Sequence, residues 1–261
     1  MWESVKILLP NLTPIHVVVL AAGKGSRLGA LSDDRPKWLL PVGGRPIADR
    51  HLEGIRAAGD AVASVRVLTG HAADAIAAAL RERGDDDVLL QFNPEFAELN
   101  NWWSVLRALR ELPAEGPVVF INSDLCLDPE HVAAFIEAAA ESEEEAFLAV
   151  DLERELTDES MKVEQAADGT LTKIGKVGLD EPVGEYIGML FARGSVLSAF
   201  RDRLEQFVGR DECANEWYEG AVGRSAAEGT AWHIWPMPSS AWVEIDDDGD
   251  LERAEGLAGV R

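Results

Sequence analysis

Cysteine is scarce: among 261 residues only Cys126 and Cys213 occur, far apart and in no Cys-x-x-Cys pairing. That excludes a disulfide framework and a cysteine-based zinc site, and it fits a reducing, cytoplasmic setting. Positive charge is scarce too, with 24 Lys and Arg against 47 Asp and Glu, a formal net charge of −23. Such a surface repels polyanions, so neither nucleic acid nor a membrane surface is an expected partner. Long apolar runs are missing. The opening MWESVKILLPNL carries Glu3, Lys6 and Pro10 and matches neither a secretory signal nor a membrane span. Residues 1–14 read as a short extension ahead of one domain over 15–261. The five His show no metal-like spacing, and His71 in TGHAAD reads as a strand-to-helix turn residue. The acidic run Glu141–Glu145 reads as a solvated helix end.

What is present is an alternation of strand and helix patterns. Ile15–Leu20 is apolar and β-branched and breaks at Ala21-Ala22-Gly23, as a buried parallel strand entering a loop does. Helical periodicity over Ile47–Ala58, Ala72–Arg83, Asn101–Leu112 and Pro129–Ala140 interleaves with strands at Ser64–Thr69, Val88–Phe92, Val118–Asn122 and Ala146–Asp151. This predicts an α/β fold with a doubly wound, mostly parallel, Rossmann-like sheet. The second half is less regular. Lys162–Gln165 and Thr170–Ile174 flank the turn Ala167-Asp168-Gly169, Tyr186–Ala192 is a further strand, and a small antiparallel insertion is expected here. Val196–Phe207, Glu212–Ala227 and Asp250–Leu257 read as helices, Ala231–Trp235 and Trp242–Ile245 as extended segments.

In an acidic chain, any phosphate-handling site must concentrate its few cations, and Leu20–Pro46 does so. Its sequence, LAAGKGSRLGALSDDRPKWLLPVGGRP, holds Lys24, Arg27, Arg35 and Lys37 among glycines. Glycines let backbone N–H groups approach a phosphate, and Arg and Lys add charge-assisted contacts. The spacing is neither a Walker A loop nor a dinucleotide fingerprint, since Gly29 falls one place late. Further on, FINSD is an apolar strand that ends on Asp124, at the sheet edge where open α/β sheets place ligands.

These residues resemble a known family. AAGKGSRL followed by RPKWLLPVGGRPI is similar to the GxGxR(L/M)…PK signature of sugar-phosphate and alcohol-phosphate nucleotidyltransferases, whose fold is of the nucleotide-diphospho-sugar transferase type. FNPEFAELNNWWSVL, with its Asn-Asn-x-x-Ser pattern, resembles the phosphocholine cytidylyltransferase-like branch, as do the later pieces around Tyr186, Trp217 and Asp246. The resemblance implies transfer of an NMP unit, CMP in that branch, from CTP to a small phosphorylated or phosphonate alcohol, with Mg²⁺ as cofactor and pyrophosphate released. A sugar- or cyclitol-1-phosphate acceptor and a non-catalytic nucleotide-binding protein are the alternatives. By the same resemblance, Leu20, Ala21, Ala22, Gly23, Lys24, Gly25, Asn100, Asn101 and Ser104 hold the nucleotide, and Arg27 and Lys37 act on its phosphates. Asp124 and Asp246 bind the metal, and Lys176 touches the acceptor's phosphate, although Gly175-Lys176-Val177 departs from the usual Glu-Lys-Pro. Glu185, Tyr186, Glu216, Trp217 and Tyr218 complete the acceptor side. Trp102, Trp103 and Trp242 are further candidates for an aromatic cage around an acceptor ammonium. Oligomeric state is not legible in these patterns.

Overall fold

A computed structural model describes residues 13–114 and 116–258; residues 1–12 of the expected N-terminal extension lie outside the described residues. In chain order its strands are β1 (Ile15–Ala21), β2 (Pro41–Val42), β3 (Arg45–Pro46), β4 (Val62–Thr69), β5 (Val88–Phe92), β6 (Val118–Asn122) and β7 (Leu125–Leu127). Then follow β8 (Ala146–Asp151), β9 (Lys162–Gln165), β10 (Leu171–Gly175), β11 (Gly184–Ala192), β12 (His233–Pro236) and β13 (Trp242–Glu244). The helices are α1 (Ile47–Ala57), α2 (Ala73–Arg83), α3 (Asn101–Glu111), α4 (Pro129–Glu141), α5 (Gly194–Glu205), α6 (Tyr218–Ala227) and α7 (Asp248–Ala258).

The main sheet runs β10-β9-β11-β6-β1-β4-β5, with β8 joined to β11 and β12 to β8. β1 is parallel to both β4 and β6, and β5 is parallel to β4. β11 runs antiparallel to β6 and β8, so the parallel half gives way to the antiparallel half at β6. Both faces of β1 are buried because its side chains alternate between two cores. Val17 and Val19 pack with Leu52 and Ile55 of α1 and Phe135 of α4; Val18 and Leu20 pack with Leu106 of α3 and Phe200 of α5. Each such fully buried side chain contributes roughly 1.5–3 kcal/mol of transfer free energy. This places the C-terminal ends of β1 and β6, Ala21 and Asn122, side by side at one edge of the sheet.

One expected helix is shorter than its pattern. Glu212–Ala227 lacks a proline, but α6 begins only at Tyr218, after a short turn at Asp211–Cys213. Tertiary bonds hold the preceding loop open: Asn100 N–H donates to Ala214 O (2.9 Å), and Tyr218 N–H donates to Asn101 Oδ1 (3.0 Å). Trp217, as N-cap, is therefore turned out of the helix. Among the described residues, no helix is long and apolar enough to cross a membrane.

Candidate active site

A cleft of about 550 Å³ opens over the edge where β1 and β6 end. Its floor comes from the glycine-rich loop. Gly25 adopts a left-handed conformation (φ 64°, ψ 41°), and its carbonyl accepts bonds from Leu28 N–H (3.0 Å) and Ser32 Oγ (2.8 Å), which curl the loop. A Cβ at Gly25 would lie 2.9 Å from Cγ and Cε of Lys37, so the absent side chain is the space in which the lysine stem lies.

Lys37 is aimed by its neighbour. Trp38 is fully buried and donates its indole N–H to His51 Nδ1 (3.2 Å), and His51 Nε2–H donates to Leu125 O (2.7 Å). This buried bridge ties the segment carrying Lys37 to the one carrying Asp124. Asp246 arrives by a different route. β13 pairs antiparallel with β7, and Ile245 N–H donates to Asp124 O (2.9 Å), which sets the two carboxylates together. The acids that follow have separate work. Asp250 Oδ2 accepts from the backbone N–H of Asp246 and Asp247, and Asp247 Oδ1 accepts from Asp250 N–H, a reciprocal cap for α7.

The result is a compact charge cluster. Lys37 Nζ lies 3.0 Å from Asp124 Oδ2 and 2.5 Å from Asp246 Oδ1, and Arg27 reaches Asp246 Oδ2 at 2.6 Å. Burial alone would lower the Lys37 pKa, but Asp124 and Asp246 raise it, so its ammonium stays charged. Burial opposes ionisation of Asp246 as well, and Lys37 and Arg27 override it and hold that carboxyl below its usual range. Glu244, which the sequence reading missed, joins them: oxygens of Asp124, Glu244 and Asp246 lie within 4.8 Å of one another. Its pKa is pushed up to about 8, by burial first and then by the charges of Asp124 and Asp246. The signal was in WVEID, where Glu244 and Asp246 sit two apart on an extended segment and so share a face. Three hard oxygen donors fit a small divalent cation such as Mg²⁺.

Leu20, Gly23, Gly25, Asn100 and Asn101 line the same cleft, as do Lys176, Glu185, Tyr186 and Trp217. Asn100 also caps α3, its Oδ1 accepting from Asn101 N–H at 2.7 Å. Lys176 pairs with Glu159 (2.8 Å), and its Nζ is 5.5 Å from the centre of the Trp217 ring. Burial raises the Glu185 carboxyl above its usual range, against an opposing hydrogen bond from Ser160.

Other expected site residues stand elsewhere. Ala21 and Ala22 are buried behind the loop and Lys24 points to solvent. Ser104 is buried and accepts a bond from Asn93 Nδ2 (3.0 Å), and Glu216 pairs with Arg224 (2.7 Å). None of these five lines the cleft, and neither does Tyr218, whose buried hydroxyl meets those of Tyr186 (2.7 Å) and donates to Asn122 Oδ1 (3.1 Å). The four-tryptophan cage does not form. Trp102 is in the core against Phe207, Trp103 packs under Arg110, and Trp242 is buried with Arg154 stacked 3.9 Å above its ring. Of the four, Trp217 and Trp242 line the cleft, and because Trp242 is 1% exposed, Trp217, 42% exposed, carries the open aromatic face.

A parallel sheet edge topped by a glycine loop, two cations and three carboxylates defines a nucleotidyltransferase-type α/β protein. Residues 17–219 match the model of the MobA-like NTP transferase domain, and the chain belongs to that family. It is 32% identical over 98% of its length to CMP-5'-(3-aminopropyl)phosphonate synthase of Streptomyces rubellomurinus, of which it spans 40%. It is 30% identical over 47% of its length to 2-aminoethylphosphonate cytidylyltransferase of Lancefieldella rimae, of which it spans 48%. The chain thus spans less than half the length of these relatives. The CTP:phosphocholine cytidylyltransferase of Streptococcus pneumoniae has the same fold, with a TM-score of 0.72, 17% identity, and coverage of 94% of this chain and 99% of that one.

Proposed function

We propose that the chain is a Mg²⁺-dependent cytidylyltransferase that joins the CMP unit of CTP to a small aminoalkyl phosphonate or phosphate and releases pyrophosphate. One observation carries the reading: Gly25, Arg27 and Lys37 converge with Asp124, Glu244 and Asp246 in one cleft. The acceptor class is supported by the names of the two relatives, both of which refer to aminoalkyl phosphonates.

In this reaction an acceptor oxygen forms a bond to the α-phosphorus of CTP. The bond from that phosphorus to the bridging oxygen breaks, and pyrophosphate leaves with the electron pair. A phosphonate or phosphate anion is already a nucleophile, so no general base is required; the protein's task is to bring two anions together in line. Lys37, kept protonated by its neighbours, would donate N–H bonds to the α-phosphate. Arg27, exposed at the rim, would swing from Asp246 to the leaving phosphates. Lys176 would leave Glu159 for the acceptor's anionic group. A Mg²⁺ ion held by Asp124 and Asp246, with Glu244 beside them, would offset further phosphate charge. The backbone at Gly23 and Gly25 and the side chains of Asn100 and Asn101 would hold the nucleoside.

Pyrophosphate release tests this, with four NTPs crossed against 2-aminoethylphosphonate, 3-aminopropylphosphonate, choline phosphate, inositol 1-phosphate and glucose 1-phosphate. Release confined to CTP with an amino acceptor, and lost in Asp124→Ala, is the expected pattern. Release with inositol or glucose 1-phosphate instead would overturn the acceptor class, and nucleotide binding without release from any pair would overturn the enzymatic reading.

A further inference from the structure

The first turn of α6 carries a carboxylate that the transfer chemistry does not use. Glu219 is 5% exposed and lies on the cleft wall, two residues past Trp217. Its Oε2 is buried and has no hydrogen-bond partner among the described residues. Burial pushes its carboxyl up to about 7, and nearby hydrogen-bonding groups, Asn101 among them, only partly offset this. A buried acceptor without a donor is costly, and folded chains retain few of them unless a ligand completes the bond.

Two features define what the missing donor is. The first is charge. The Lys176 ammonium, 5.5 Å from the Trp217 ring, lines the same cleft as Glu219, so a cation, an open aromatic face and an acidic group share one wall. That arrangement fits a zwitterion, with its anionic group toward Lys176 and its cationic group toward Glu219. A primary ammonium supplies the hydrogen and, by its charge, favours the ionised carboxylate that burial opposes; a neutral amine, such as the one on a cytosine ring, supplies the hydrogen alone. The second feature is the need for a hydrogen. Oε2 requires a hydrogen-bond donor, which a primary ammonium offers and a trimethylammonium lacks.

We propose that Glu219 is a specificity-determining residue that takes the protonated primary amine of the acceptor, so that the acceptor is an aminoalkyl phosphonate or phosphate and not a quaternary ammonium compound. The identity of the acceptor rests on the cytidylyl-transfer reading above; the amine contact itself does not.

The test compares 3-aminopropylphosphonate, its N-trimethyl derivative and propylphosphonate, each in CTP-dependent turnover and in calorimetric binding to the protein without nucleotide. Wild-type protein is expected to favour the primary amine over both others by about 10- to 100-fold, the range of one charged hydrogen bond. Glu219→Gln is expected to erase that preference through the acceptor KM and Kd, with the CTP KM unchanged, and Glu219→Asp to restore part of it. Equal handling of the three probes by wild-type protein, which needs no variant to fold, would overturn the proposal. So would Glu219→Gln weakening all three alike. Amine-selective binding that depends on Glu219, without pyrophosphate from CTP, would overturn cytidylyl transfer and keep the contact. Pyrophosphate from CTP with no preference among the probes would do the reverse.

Discussion

Adding one methyl group at Gly25 separates the two ways in which a glycine can matter. In Gly25→Ala the backbone must hold a non-glycine residue at φ 64°, which costs roughly 1–2 kcal/mol. The new Cβ would also stand 2.9 Å from Cγ and Cε of Lys37, so the lysine stem has to move. Lys37 Nζ is held at 3.0 and 2.5 Å by Asp124 and Asp246, and a shift of the stem by about an ångström breaks one of those contacts. A misplacement of that size costs on the order of 100-fold in turnover. Gly44 supplies the matched control, because it too has positive φ (79°), in the turn joining β2 to β3, but a Cβ there meets nothing within 4 Å. Thermal unfolding and steady-state pyrophosphate release would be measured on both variants. Both should lose comparable stability, while Gly25→Ala alone loses about 100-fold in kcat with a smaller change in the CTP KM. A Gly25→Ala variant that is destabilised like Gly44→Ala yet turns over like wild type would refute the role of Gly25 in placing Lys37.

Several other measurements bear on the same geometry. His51 is fully buried, and its pKa is lowered to about 4, chiefly by burial, against the bond to Leu125 O. The unfolded chain therefore binds a proton below pH 6.5 that the folded chain refuses until about pH 4. Stability should fall by on the order of 3 kcal/mol over that window, and His51→Gln should flatten this part of a denaturant-midpoint-versus-pH curve; an unchanged curve would argue against a neutral buried His51. Trp217→Ala removes an exposed aromatic face, so it should raise the acceptor KM about 3- to 30-fold, as loss of one cation–π contact does, with little change in melting temperature; an unchanged KM would remove Trp217 from the acceptor side. Asp246→Asn should release Arg27 and Lys37 from a shared partner and cut kcat by about 100-fold or more; near-normal turnover across a Mg²⁺ titration would take Asp246 out of the reacting centre.

The loop and the strands that frame the cleft were legible because their signals are local. Gly25 and Lys37 stand in one short segment, and Asp124 follows the apolar strand β6 by two residues, so neither depends on distant partners to be found. Glu244 was equally legible, because it stands two residues before Asp246 on an extended segment; Asp247 and Asp250, which follow, cap α7 instead. What stayed hidden depends on tertiary contacts. The start of α6 is set by Asn101 and by the hold of Asn100 on Ala214, which no periodicity over residues 212–227 reveals. The neighbouring Trp102 and Trp103 project about 100° apart on α3, one into the core and one beneath Arg110, so adjacency in sequence did not make them a pair in the site. Ser104 follows the same rule: its position in the Asn-Asn-x-x-Ser pattern falls on the inner face of α3, against Asn93. Glu219 could be recognised only once its burial and its missing partner were visible.

The most direct measurement of the central claim is ³¹P NMR of the protein incubated with CTP, Mg²⁺ and 3-aminopropylphosphonate. Formation of a phosphonate–phosphate anhydride, seen as two mutually coupled resonances that grow in step with pyrophosphate and are absent with Asp124→Ala, is the expected result. Hydrolysis of CTP with the phosphonate resonance unchanged, or no reaction while the same sample forms a product from a sugar 1-phosphate, would contradict it.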